Sequence, residues 1–322
     1  MRARLRLLLL PFLAVLLAGF LAGCGDDGSS DKVAKSSTSG DPRAVVKKAL
    51  ATPVKSGVLD LDAAATVKGA AGAQGPFSLS LNGPFKSRGT NQTPLLDWTI
   101  KVRGAGQDQT LGLIATEDNA YVKFRGQTYE VGKQLFRRFV TQARHNAKTN
   151  KQQNLRSLGI DPARWVKDTR LSAGPEVGGD PTRKVTGSVD VRRMVADVYR
   201  LLRSPELRRQ LKRQGQDPGR IPQVSRSQLD QVATAVKKAS FEVDIDDQDV
   251  ARRVRVLATF KAPAGSSAKG AQSGTVRFSY ALPQVGGDPD IKAPADAKPL
   301  QLLIQHLGLG AGMPGGGALK TQ

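Results

Sequence analysis

The only cysteine of the chain stands in Leu21-Ala22-Gly23-Cys24, at the end of an apolar run that follows Arg2, Arg4 and Arg6. A thiol so placed can be acylated. The arginines hold the cytoplasmic side, the apolar run partitions into the membrane, and the small Ala22 and Gly23 let an extended backbone enter a peptidase site. The pattern is a secretory signal of the bacterial lipoprotein type: residues 1–23 are removed and Cys24 becomes the diacylglyceryl-modified first residue. Two acyl chains matter because one anchors only marginally, each buried methylene adding about 0.8 kcal/mol. Leu7 to Ala22 falls short of the roughly 20 apolar residues of a spanning helix and contains Pro11, against an uncleaved anchor. The expected location is the cell membrane, by a lipid anchor, on its extracytoplasmic face.

Other reactive constellations are weak. Gly310-Ala311-Gly312-Met313-Pro314-Gly315 spells GxGxxG, but it follows no strand and opens no helix. Ser266-Ser267-Ala268-Lys269 spells SxxK without the companion motifs that chemistry needs. Asp244, Asp246, Asp247 and Asp249 suggest a calcium loop, yet position six holds Asp249 instead of glycine and position twelve Arg255 instead of glutamate, so a solvated strand face and turn is expected. His145 and His306 are the only histidines, and neither has a serine or carboxylate constellation nearby. Nothing supports an enzyme, and no cofactor or metal is implied.

The net charge of +21 falls by three when the signal arginines leave. Such a field attracts anionic phospholipid headgroups or wall polymers, or it is a solvated surface with no dedicated partner. Export and the absence of RNP, zinc-finger or helix-turn-helix signatures argue against nucleic acid. With one cysteine, no intrachain disulfide forms, and stability comes from packing.

The elements follow from periodicity. Residues 24–40 form a Gly, Ser, Asp and Lys-rich tether. Asp41-Pro42 opens a short helix as N-cap and first-turn proline, and Pro53 ends it. From 56 to 131 apolar and polar residues alternate with period two between short Gly and Pro breaks, which predicts an antiparallel meander. Helices are expected over 132–153, over 189–216 with a break at Ser204-Pro205, and over 225–238, with a short strand pair near 168–189 and strands at about 240–247, 251–262 and 273–282. Residues 308–322 read as a glycine-rich disordered tail.

The lipobox, the Asp-Pro helix, the run Val54-Lys55-Ser56-Gly57-Val58-Leu59-Asp60-Leu61-Asp62, the meander, the phrase Tyr121-Val122-Lys123-Phe124-Arg125-Gly126-Gln127-Thr128-Tyr129-Glu130-Val131 and the helices before returning strands together resemble the LppX/LprG lipid-binding lipoproteins, related in fold to the LolA and LolB carriers. The resemblance covers roughly 41–307, expected as one domain, and the chain departs in a longer helical middle and the glycine-rich end. It implies an α+β fold: a curved antiparallel half-barrel with α-helices over the concave face and an apolar cavity between. The implied function is non-covalent binding, and transfer, of a lipid or glycolipid. A structural envelope adaptor that docks on anionic wall polymer or a protein partner is the alternative. An export or transport partner is left unidentified.

By strand alternation the inward residues are Leu59, Leu61, Leu79, Leu81, Trp98, Ile100, Val102, Leu111, Leu113, Tyr121 and Phe124, joined by Phe136, Phe139, Val140, Met194, Val198 and Leu202 from helices. The same side chains could make a plain packed core. Arg208, Arg209, Lys212 and Arg213 crown a basic helical zone, expected either to rest on an anionic membrane surface or to be a solvated charged face.

Overall fold

The computed structural model describes residues 40–69, 76–89, 92–104, 107–150, 162–205, 208–209, 226–262 and 272–306. Cys24, Lys212, Arg213, the Ser266–Lys269 motif and the glycine-rich end lie outside them.

Helix α1 (Pro42–Ala51) begins where the sequence places it. The Asp41 carboxylate accepts from the Arg43 N–H at 3.0 Å, Pro42 fills the first turn, and the Thr52 N–H closes onto the Lys48 carbonyl at 3.0 Å. The meander follows as six strands: β1 (Ser56–Lys68), β2 (Phe77–Lys86), β3 (Leu95–Gly104), β4 (Gln107–Ala115), β5 (Ala120–Phe124) and β6 (Gln127–Glu130). Helix α2 (Lys133–Asn150) and a 3-10 turn (Pro162–Trp165) lead to β7 (Val166–Ala173) and β8 (Arg183–Val189). Helices α3 (Val191–Arg203) and α4 (Arg226–Ala235) precede β9 (Val236–Ile245), β10 (Ala251–Lys261) and β11 (Ser273–Val285), and β12 (Lys298–Pro299) with α5 (Leu300–His306) closes the described chain.

All twelve strands join one open sheet, in the order β12-β6-β5-β4-β3-β2-β1-β11-β10-β9-β8-β7. Every pairing is antiparallel except the two-residue match of β12 to β6. The returning strands therefore extend the meander: β11 lies against β1, with Leu61 opposite Tyr280.

The helical middle departs from expectation. Helix α3 ends at Arg203, at the expected Ser204-Pro205 break, and residues 205 and 208–209 are again helical, but β9 starts at Val236, inside the expected third helix, because Val236 pairs with Phe260 and Lys238 with Thr259. Ladder bonds with a neighbouring strand override the local helical pattern there.

Two contacts fix α3. The indole N–H of Trp165 donates to Asp197 Oδ2 at 2.8 Å, and Asp197 is buried. Asp190 caps the helix through the Arg193 N–H at 3.1 Å and pairs with Lys167 at 2.7 Å. Those bonds, the Lys167 ammonium first and the Arg193 amide second, hold the Asp190 carboxyl below its ordinary 3.8. A lowered carboxylate pKa stabilises the fold at pH values above the ordinary one, and that contribution disappears as pH falls through the folded value. Asp190→Asn is therefore expected to lower the melting temperature at neutral pH and to match the unsubstituted chain once acid has protonated the Asp190 carboxyl of the latter; parallel melting curves over acid and neutral pH measure it.

The aspartate run at 244–249 lies in and after the end of β9 and is not a solvated face. Asp244 is fully buried against Arg253 at 2.8 Å, and Asp246 is buried, accepting from the N–H groups of Gln248 and Val250 at 3.0 and 2.8 Å. Asp249, at φ 59°, pairs with Arg183 and with Lys48 of α1. Arg252, 3% exposed, donates to the carbonyls of Leu282, Val177 and Pro283 at 3.0 to 3.3 Å and pairs with Asp246 and Asp180. Gly178 is required beside it, since a Cβ there would meet the Pro283 carbonyl at 1.6 Å.

Candidate functional site

Strand register sorts the side chains into two faces. One transverse row runs Leu171, Val185, Val243, Val254, Tyr280, Leu61, Leu81, Ile100, Leu111 and Phe124, crossing ten neighbouring strands without a charged residue. The next row on that face runs Phe241, Val256, Phe278, Ala63, Leu79 and Val102. The opposite face carries Thr186, Glu242, Arg255, Ser279, Asp62, Ser80, Lys101 and Thr110 in register. Alternation thus separates an apolar face from a largely polar one, broken at β4 and β5, where Ile114 and Tyr121 are buried on the polar side.

The apolar face is covered unevenly. At the β7–β10 end α1 lies on it, and Ala49, Val185, Phe241, Val243, Ile245, Ala251 and Val254 form a buried core flanked by Val45 and Val46. Toward β2–β5 the same rows are only half-buried: Leu79, Leu81, Trp98, Ile100, Val102, Leu111, Leu113 and Phe124 keep partial exposure. Leu59 is half-buried and Leu61 buried in β1.

Ten of the eleven strand residues singled out by alternation therefore share one face. Tyr121 is the exception. It pairs with Ile114 and Glu130, whereas Val122 pairs with Leu113 and Tyr129, so Val122 takes the place given to Tyr121. Tyr121 and Phe124 are three positions apart, and a period of two cannot put both on one side.

Of the helical candidates, Phe136 is buried and Val140 half-buried, but Phe139 is 60% exposed and is not an inward residue. Met194 is half-buried; the side chains of Val198 and Leu202 lie outside the described ones. Arg208 and Arg209 are exposed.

Two polar atoms belong to the apolar rows. Among the described residues Trp98 Nε1 is buried with no acceptor, and burial pushes the Tyr280 hydroxyl up to about 12. A separate recess of about 390 Å³ includes Thr99, Asp108, Thr110, Lys123 and Arg125, a charged lining unlike the apolar rows. Among the described residues no group of three His, Cys, Asp or Glu side chains could hold a metal ion, and no helix is long and apolar enough to cross a membrane. His306 Nδ1 lies 2.9 Å from the Leu302 carbonyl of its own helix.

No family model matches the chain, and no curated protein matches it. Among solved structures it is similar to LprF from Mycobacterium bovis, with 12% identity, 79% of this chain and 97% of that one covered, and a TM-score of 0.38. It is also similar to the Mycobacterium tuberculosis lipoprotein LppX, with 10% identity, coverage of 78% and 98%, and a TM-score of 0.35. LppX belongs to the family whose pattern the sequence resembles; at these scores the likeness carries no argument about ligand.

Proposed function

We propose that this chain is a membrane-anchored lipoprotein, acylated at Cys24, whose half-open apolar sheet face receives the acyl chains of a lipid or glycolipid without covalent chemistry. The carrying observation is the apolar row that crosses ten strands, with its buried core toward β7–β10 and its half-buried members at β2–β5. An apolar surface left half-wet is costly, and each acyl methylene that covers it contributes about 0.8 kcal/mol. In this reading the sheet curves into a half-barrel over residues 41–307, the helices close the remaining side, and the space between is the ligand cavity. Trp98 Nε1 supplies a polar contact for a lipid carbonyl. Arg208, Arg209, Lys212 and Arg213 belong to a basic zone suited to anionic headgroups, and the carrier moves its ligand between membrane and envelope.

Organic extraction of the purified protein followed by mass spectrometry tests the reading. Lipid is expected in near-stoichiometric amount, and Leu81→Asp and Leu111→Asp should each reduce it about tenfold or more with a small change in unfolding midpoint, since both side chains sit in the half-buried region. The same change at Ile245, fully buried, should unfold the protein, because an unpaired buried charge costs several kcal/mol. Lipid-free protein, or a Leu111→Asp variant that retains its lipid, contradicts the proposal and leaves the envelope adaptor.

A further inference from the structure

Helix α1 has two sides of different character. Val45, Val46 and Ala49 pack onto the core cluster of the apolar face. On the other side Arg43, Lys47 and Leu50, spaced i, i+4 and i+7, form one stripe. All three are exposed, Leu50 at 47%. The helix contains no acid, and among the described residues neither Arg43 nor Lys47 has an ionic partner, whereas Lys48 is drawn aside to Asp249. A large exposed leucine one turn beyond two cations suits an interface that is anionic at its surface and apolar just beneath it.

We propose that the Arg43–Lys47–Leu50 stripe docks on the anionic phospholipid surface of the membrane that carries the anchor, with Leu50 entering the headgroup boundary. Two further facts favour a bilayer over another occupant. Cys24 lies seventeen positions before the cap residue Asp41, and no conformation of that length spans more than about 60 Å, so α1 is the first element held beside the membrane. Its cations match the negative leaflet, whose attraction acts within about a Debye length. The inward side of α1 lies on the apolar sheet face, so this docking turns that face, including its half-buried β2–β5 region, toward the bilayer. Lipid then passes from leaflet to sheet without crossing open water. The proximity argument rests on acylation of Cys24, and the directional consequence on the proposed lipid-binding face; the stripe itself rests on neither.

The test uses the full chain purified from membranes and reconstituted with vesicles. A thiol-reactive fluorophore is placed at Leu50→Cys in one sample and at Asp62→Cys, exposed on the wet face of β1, in another. Intact mass records the state of Cys24 separately, and because both samples share that state, the difference between the two labels reads docking whatever Cys24 carries. With vesicles containing phosphatidylglycerol and shallow nitroxide lipids, the label at position 50 should be quenched several-fold more than the label at 62. The difference should shrink in pure phosphatidylcholine and at molar salt, and vanish when Arg43→Glu and Lys47→Glu are combined. Equal quenching at 50 and 62, or quenching that ignores the charge reversal, overturns the proposal. So does a label at position 50 that becomes shielded from aqueous quencher at high protein concentration without vesicles, which assigns the stripe to a second copy of the chain.

Discussion

Replacing Arg252 by leucine is expected to lower the free energy of unfolding by about 3–5 kcal/mol, the usual cost of leaving a buried partner uncompensated. The guanidinium is 3% exposed and joins three otherwise separate pieces: the end of β11 through the Leu282 and Pro283 carbonyls, the Val177–Asp180 turn, and the β9–β10 turn through Asp246. Its loss leaves Asp246, itself nearly inaccessible, with its two backbone N–H donors but no counter-charge among the described residues, and frees the Val177–Asp180 turn. Arg255→Leu makes the comparison, since Arg255 and its partner Glu242 are both substantially exposed and such pairs contribute about 1 kcal/mol or less. Urea titrations of both variants give the two numbers. Similar values would mean that the Arg252 cluster is not the clasp its geometry describes.

The largest functional effect is expected from Cys24→Ser. With no other cysteine in the sequence, the substitution should remove all acyl label and leave the precursor unprocessed, and the mature membrane-bound species should disappear. Membrane fractionation after growth with a labelled fatty acid decides it, and equal labelling of the variant contradicts the lipobox reading. Signal and sheet are independent, so the described fold should persist in any Cys24→Ser protein that is recovered.

What could be read from sequence follows the range of the forces involved. Helix α1 was legible because cap, proline and stop lie within a dozen residues of one another. The meander was legible because alternation is local, and the same alternation placed ten strand residues on one face. It misplaced Tyr121 through an inconsistency of parity that the pattern itself could have exposed. The apolar alternation of Val254, Val256, Phe278 and Tyr280 signalled strands, but nothing local says that β11 pairs with β1 in place of starting a second sheet. Arg252 carried no signal at all. An arginine among arginines reads as surface, and its burial depends on a turn more than seventy positions away and on carbonyls thirty positions away. The boundary between α4 and β9 failed for the same reason, since Val236 is claimed by a ladder with Phe260.

The seam between β1 and β11 bears on how the chain can be made at all. It joins positions more than two hundred residues apart, so the sheet cannot be completed until most of the polypeptide has been delivered. Pairings of such separation close slowly because a large loop must be ordered before any contact repays it. Until then β1, thirteen residues long, is a bare edge on the meander, the kind of template that recruits other chains. Under the proposed lipoprotein reading, in which the chain is threaded through a translocase, the delay is useful, because a sheet that closed early would jam the passage. A chain stopped before residue 273 should therefore accumulate as aggregate instead of folding as a shorter sheet.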